Sequence, residues 1–170
     1  VLPQALVDRT FSDGVQQPYA TAWLRPAGGA SARPPQVSRP AALGDGISLL
    51  GYDVQPAAPR AGQTIYLQLH WLVDAPPAHN WTVFTHLLDP AAETGAPLAG
   101  KDAPPGGGSL PSTRWQPGWR ILDEYQIALP ADLPAGDYTL ATGLYAADGA
   151  HLPADGAALT LGTIHVEGPE

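Results

Sequence analysis

Apolar and polar residues alternate along most of the chain from residue 44 onward. The clearest run is Thr64 to Val73, where polar side chains at positions 64 to 70 alternate with large apolar ones. A period of two is typical of a β-strand with one buried face. The run therefore predicts a half-buried strand whose inward side chains are Ile65, Leu67, Leu69, Trp71 and Val73.

Five further segments have the same character and are bounded by Gly, Pro or Asp, the residues that form turns. They span residues 47–54, 81–88, 121–129, 138–146 and 159–166. No apolar stripe with helical period and useful length occurs, so we expect less than about a tenth of the chain to be helical. The pattern predicts an all-β fold, an antiparallel immunoglobulin-like or jelly-roll-like β-sandwich of about seven or eight strands.

The first forty residues differ from the rest in composition. Residues 26–40 contain several Gly and Pro and have no apolar periodicity, which is typical of a linker or an extended surface strap. We therefore divide the chain into residues 1–40, an N-terminal strap or linker that is partly irregular, and residues 41–167, the sandwich domain.

Composition excludes several functions. The chain of 170 residues has 16 acidic and 8 basic side chains, a net charge of −8 that repels nucleic acid and anionic lipid surfaces. It has no cysteine, so disulfides, zinc–thiolate sites and cysteine nucleophiles are excluded. No apolar stretch long enough to span a bilayer occurs, so we expect no direct membrane insertion by this segment. Since methionine is also absent, we expect the segment to belong to a longer chain.

The histidines and serines do not form a catalytic or metal-binding motif. The five histidines are scattered, without the spacing of a zinc motif, and no nucleophile elbow or phosphate-binding loop is present. His70 and His86 could meet across neighbouring strands beside Asp89, although surface or cross-strand histidines explain them better. We therefore predict no catalytic residue, no metal and no cofactor, and a chain that is not an enzyme by itself.

Residues 133–138, with the sequence LPAGDY, resemble a tyrosine corner. In such a corner, a Tyr at the start of a strand donates its hydroxyl hydrogen to the backbone a few residues upstream. We therefore predict a structural role for Tyr138.

The connection spanning residues 98–120 is the strongest candidate for a ligand site, because ordered connections of this length are uncommon and tend to be functional. It carries Asp102, Trp115 and Trp119, and Trp81 lies on a nearby predicted strand. Exposed tryptophans beside carboxylates would suit a sugar, since a flat aromatic ring matches the apolar face of a pyranose. In the alternative, which we favour, the tryptophans fold inward and the segment is a packed lid.

Asp123 shares the inward phase of the predicted strand 121–129. A buried carboxylate requires a partner, and Arg114, Arg120 or the backbone amides of the preceding loop are the candidates. We favour a structural pin that ties the loop to the sandwich over a ligand-binding acid.

Six short motifs, taken together, resemble a family. They are LGDGISLLGYD (43–53), LHW (69–71), VFTHLLD (83–89), WQPG (115–118) and LPAGDY (133–138), followed by residues 143–145. The set resembles the uncharacterised C-terminal β-sandwich module of bacterial multi-pass membrane glycosyltransferases of the protein-mannosyltransferase-like kind. The resemblance implies an extracytoplasmic location within a membrane-anchored chain, and it transfers no functional residue.

The expected function is that of a non-catalytic extracytoplasmic accessory or interaction domain associated with a membrane glycosyltransferase. The alternative is a carbohydrate-binding module that uses the loop tryptophans, and a hydrolase or metal enzyme is a third class. The expected partners are a glycan or a protein of the same membrane complex.

Overall fold

The structure is a computed structural model that describes residues 33–92, 95–153 and 155–168, together with the backbone of three short strands nearer the N-terminus. Those three are β1 (Thr10–Ser12), β2 (Pro18–Thr21) and β3 (Trp23–Arg25). Strands β1 and β2 pair with each other as a separate two-stranded sheet, whereas β3 joins the main body.

Two antiparallel sheets form the main body. The first has the strand order β3-β9-β6-β5-β4, with bounds Val37–Gly44 (β4), Ile47–Gln55 (β5), Thr64–Val73 (β6) and Arg120–Ala128 (β9). The second contains β7 (Thr82–Leu88), β8 (Pro97–Ala103), β10 (Gly136–Tyr145), β11 (His151–Leu152) and β12 (Leu159–Val166). Its order is β8-β7-β10, and both β11 and β12 pair with the far side of β10.

The core lies between the two sheets and follows the period-two pattern. The inward side chains of β6, which the sequence identifies, are at most 1% exposed. They pack with inward residues of the second sheet, such as Val83, Leu87, Leu140 and Leu144. Burial of large apolar side chains, at roughly 1.5–3 kcal/mol for each, is what holds the two layers together. The all-β sandwich fold is therefore confirmed.

The sheets of the main body hold ten strands within the described residues, more than the seven or eight expected. The additional strands lie mainly at the sheet edges, where one or both faces are open and apolar alternation is weak. Strand β8, for example, is exposed at five of its seven positions. It contains Pro97 and Lys101, residues that commonly protect edge strands from pairing with other chains.

Strand β8 also shortens the predicted long connection, which starts only after Ala103. What remains contains two short 3-10 helices, Pro105–Gly108 and Ser112–Arg114, the helical elements of the described residues. The segment ends against the first sheet, where the Gly118 amide donates to the Val73 carbonyl at 2.7 Å and the Val73 amide donates to the Trp119 carbonyl at 2.9 Å.

The predicted tyrosine corner is present. Tyr138 is buried at the start of β10, and its hydroxyl donates to the carbonyl oxygen of Pro134 at 2.8 Å. The bond ties the turn before β10 to the strand. In the part of the chain that the structure describes, no helix is both long enough and apolar enough to cross a membrane.

Candidate functional site

The loop tryptophans are not arranged as a platform. Trp81 and Trp115 are 2% and 1% exposed, so neither ring offers an open face to a sugar. The Trp115 indole N–H donates to the Leu110 carbonyl at 3.2 Å, and the Trp81 indole N–H donates to Asp45 at 2.8 Å. Trp119 is partly buried against the core. The geometry is that of the packed lid.

Asp123 points into the sandwich and is 2% exposed. Its carboxylate accepts a hydrogen bond from the Gly106 backbone amide at 2.9 Å and another from the Tyr125 hydroxyl at 2.6 Å. Burial raises the pKa of Asp123, and the two hydrogen bonds offset only part of that rise. The loop amide is therefore the partner rather than Arg114 or Arg120, and the carboxylate pins the lid to the sheet.

Asp102 has a different environment, on the outer face of the second sheet. Its side chain is 43% exposed, and it accepts hydrogen bonds from His86 Nε2 at 3.3 Å and from the Tyr145 hydroxyl at 3.2 Å. The three residues come from β8, β7 and β10, which lie side by side. Of the five residues that the sequence identifies as site candidates, Asp102 is the one placed among exposed polar and aromatic groups.

Four aromatic side chains lie on the same face of the sheet as this carboxylate, and we call the five residues the aromatic face. They are Phe84, His86, Tyr145 and His151, together with Asp102. The rings of Phe84 and His86 stack with centroids 4.7 Å apart and an angle of 30° between planes. The rings of Tyr145 and His151 lie 6.4 Å apart with an angle of 39°. The aromatic face thus extends across β7, β10 and β11.

Two glycines set the position of the central rings. Gly143 pairs with Phe84 across the sheet, and Gly100 pairs with His86 on the other side of β7. A Cβ atom at Gly143 would lie 2.4 Å from Phe84 Cζ, and one at Gly100 would lie 2.7 Å from His86 Cδ2. Since these distances are shorter than van der Waals contact, the rings lie against the backbone where glycine leaves space for them. Both rings are partly exposed on their outer side.

The polar groups of the aromatic face are fixed as donors around one acceptor. Burial raises the pKa of Tyr145, and the charge and hydrogen bond of Asp102 raise it further, so the phenol stays protonated at neutral pH. His86 also donates to Asp102, which places its proton on Nε2. The exposed carboxylate keeps spare acceptor capacity, because a carboxylate offers about four acceptor sites.

Asp102 is the one carboxylate among the five residues of the aromatic face. In residues 33–92, 95–153 and 155–168, no group of three His, Asp or Glu side chains could hold a metal ion.

His70 and His86 do not meet, so the alternative that the sequence analysis disfavoured is excluded. His70 lies on β6 of the first sheet, and its Nε2 contacts Asp53 at 2.9 Å, whereas His86 lies on β7 of the second sheet. Because the strands have similar alternation patterns, the sequence does not show which of the two sheets each strand joins. Asp89 lies in the turn after β7, where its carboxylate accepts a hydrogen bond from the Ala91 amide at 2.8 Å.

The sequence pattern predicts no binding role for Phe84, Tyr145 or His151, and it suggests His86 only as a neighbour of His70. A signal was present for Phe84, since it occupies the outward phase of the predicted strand 81–88, where polar residues are expected. A single outward ring is common on protein surfaces, and only a contiguous apolar patch indicates a surface used for contact.

The comparisons with known proteins show a likeness among solved structures only. No family model matches the chain, and no curated protein matches it. Among solved structures, the chain is similar to the C-terminal domain of wzt, with a TM-score of 0.49 and 15% sequence identity over 81% of this chain and 83% of that one. At this level of similarity, the likeness assigns no function to the chain.

Proposed function

We propose that the chain is a non-catalytic carbohydrate-binding module and that its aromatic face is the binding surface. The observation that carries the proposal is the stacked pair of Phe84 and His86 packed against Gly143 and Gly100, beside the exposed Asp102 carboxylate. A flat ring contacts the C–H groups of a pyranose, and a carboxylate accepts hydrogen bonds from its hydroxyls.

In this proposal, the side chains that bind the sugar lie on the sheet, whereas the carbohydrate-binding alternative from the sequence assigned that role to the loop tryptophans. This location has a physical advantage, since rings fixed against a sheet lose little conformational entropy when a ligand binds. The surface is open, so we expect an affinity of order millimolar, or about 4 kcal/mol of binding free energy. The net charge of −8 favours a neutral glycan over an acidic one.

We further propose that the module is an extracytoplasmic accessory domain and that it acts beside a membrane glycosyltransferase. The support is the resemblance of the six sequence motifs to the C-terminal module of such enzymes. In this role, the aromatic face would hold a glycan close to the enzyme, and a protein of the same membrane complex is the other partner that the role allows.

The test is isothermal titration of the chain with linear oligosaccharides of glucose, mannose, xylose and N-acetylglucosamine. We expect at least one of them to bind with millimolar affinity and Phe84→Ala to weaken that binding about tenfold, the loss of about 1.4 kcal/mol expected for one stacked ring. The control is Val37→Ala, which removes a side chain that is 39% exposed on an edge strand of the other sheet. Equal affinities for Phe84→Ala and the wild type would refute the proposal.

A further inference from the structure

The outer face of the first sheet contains a pocket that is separate from the aromatic face. Its volume is about 180 Å³, smaller than the roughly 300–1,000 Å³ of pockets that enclose drug-sized ligands. Six polar or aromatic side chains line it, namely Arg33, Asp53, Gln55, Tyr66, Gln68 and Glu124. We call it the polar pocket.

The deepest group of the polar pocket is the Asp53 carboxylate, which is 5% exposed. One oxygen accepts the Gln36 amide at 2.6 Å, and the other accepts His70 Nε2 at 2.9 Å and the Arg33 guanidinium. Burial alone would raise the pKa of Asp53. The hydrogen bonds from Gln36 and His70 and the charge of Arg33 outweigh burial, so they hold the pKa below its ordinary value.

The role of Asp53 is therefore to position Arg33. The guanidinium is held at one side, yet its side chain remains 58% exposed. A guanidinium has five N–H donors in a fixed plane, so Arg33 keeps donors that face the polar pocket. The residue precedes β4 and connects the N-terminal part of the chain with the sheet.

The remaining groups come from rows of directly paired residues. Gln68 pairs with Asp53 on one side and with Glu124 on the other, and Tyr66 pairs with Gln55 in the next row. Tyr66 is 48% exposed. Among the described residues, no hydrogen bond is seen to the side chains of Gln55, Gln68 or Glu124. Their amides and carboxylate are thus available to a ligand beside an exposed ring.

We propose that the polar pocket binds a single neutral pyranose. The pocket offers planar amide and guanidinium groups for hydroxyls and the Tyr66 ring for the apolar side of the sugar. Its volume of about 180 Å³ is on the scale of one sugar residue, so a longer glycan would place one residue in it. The charge of Arg33 is balanced by Asp53, so Glu124 is the unbalanced charge and disfavours a sugar acid.

This site does not depend on the aromatic face. The two sheets pack through their inner faces, so the polar pocket and the aromatic face lie on opposite outer surfaces of the sandwich. A module with two such surfaces could bind two glycan segments at once, and joining two weak contacts on one ligand raises the overall affinity.

The test is a nuclear magnetic resonance titration with the methyl pyranosides of glucose, mannose and galactose, with N-acetylglucosamine and with glucuronate. The side-chain amide signals of Gln55 and Gln68 report on the polar pocket, and the backbone signals of Phe84 and His86 report on the aromatic face. We expect at least one neutral sugar to shift the two glutamine signals saturably, and glucuronate to bind several-fold more weakly.

Three variants sharpen the test. Tyr66→Ala should weaken the binding of the neutral sugar about tenfold. Glu124→Gln should raise the affinity for glucuronate relative to that sugar. Leu98→Ala, a change on β8 of the other sheet, should leave both affinities unchanged. The proposal is overturned if no neutral sugar shifts the glutamine signals, if Tyr66→Ala leaves the affinity unchanged, or if glucuronate is the preferred ligand. Because each surface has its own signals, failure of the polar pocket leaves the result for the aromatic face intact.

Discussion

Gly143 lies directly beneath the ring of Phe84, and a Cβ atom at position 143 would come within 2.4 Å of Phe84 Cζ. The two residues are direct partners across β7 and β10. Because Gly143 has no side chain, it leaves the space in which the Phe84 ring lies. Loss of that space would lift the ring from the sheet and change the outline of the aromatic face.

The first prediction concerns this pair. Gly143→Ala should reduce glycan affinity nearly as much as Phe84→Ala, because the added methyl group displaces the ring. It should also cost about 1–3 kcal/mol of stability, the usual range for overpacking. Titration and urea unfolding measure the two effects. Gly136→Ala is the matched control on the same strand, where a Cβ would meet its nearest atom at 3.9 Å. Unchanged binding in Gly143→Ala would show that the ring position is unimportant.

The second prediction concerns the packed lid. Trp115→Ala should lower the free energy of unfolding by about 3–5 kcal/mol, because it leaves a large cavity and removes the bond to Leu110. Trp119→Ala should cost less, since that ring is only partly buried. Urea unfolding of both variants measures whether Trp115→Ala loses more unfolding free energy than Trp119→Ala. If the two cost the same, or if Trp115→Ala unfolds like the wild type, the lid is not held by its buried ring.

The third prediction concerns pH. The pKa of Asp123 is raised in the folded state above its ordinary value of 3.8, so the folded protein binds the proton more tightly than the unfolded chain. Its contribution to stability is full below pH 3.8 and is lost as the pH rises through the folded pKa. The stability of the wild type relative to Asp123→Asn should therefore fall as the pH rises from 4 toward neutrality.

Asp53 provides a control, because the pH dependence of its contribution to stability has the opposite sign. Its pKa is lowered from the same ordinary value of 3.8, so its contribution is present above pH 3.8 and is lost as the pH falls through the folded pKa. Asp53→Asn should lose stability at neutral pH and approach the wild type in acid. Parallel pH profiles for the two variants would mean that one of the two assignments is incorrect.

The fourth prediction tests the tyrosine corner. Tyr138→Phe removes the hydroxyl that donates to the Pro134 carbonyl at 2.8 Å and keeps the ring. The loss of one such hydrogen bond should cost about 1 kcal/mol. Thermal and urea unfolding measure it, with Tyr66→Phe as the control, because Tyr66 is exposed on the other sheet. A Tyr138→Phe protein as stable as the control would argue against a structural role for the hydroxyl.

The sequence predicted the features that follow from alternation along a single strand. The inward side chains of β6, the burial of Asp123 and the position of Tyr138 all depend on a local pattern, and the structure shows each of them. Asp123 could be assigned a loop amide as a possible partner because a buried carboxylate must be satisfied. The identity of Gly106 could not be deduced, because it depends on how the lid folds.

The sequence failed where a feature depends on which strands are neighbours. Strands β4 and β8 lie at sheet edges, where open faces remove the apolar alternation, so the sequence pattern does not separate β8 from the connection of residues 98–120. His70 and His86 have similar sequence contexts but lie on different sheets. The aromatic face combines Phe84 with Gly143, almost sixty positions apart, and only the register of β7 with β10 brings them together.

The most direct test of glycan binding at the aromatic face is a backbone amide titration by nuclear magnetic resonance, with the oligosaccharide that binds best. The account predicts saturable shifts at Phe84, His86, Gly143 and Tyr145, and their loss in Phe84→Ala while the rest of the spectrum is retained. Shifts that occur elsewhere and leave β7 and β10 unaffected, or no shifts with any neutral oligosaccharide at tens of millimolar or so, would contradict it.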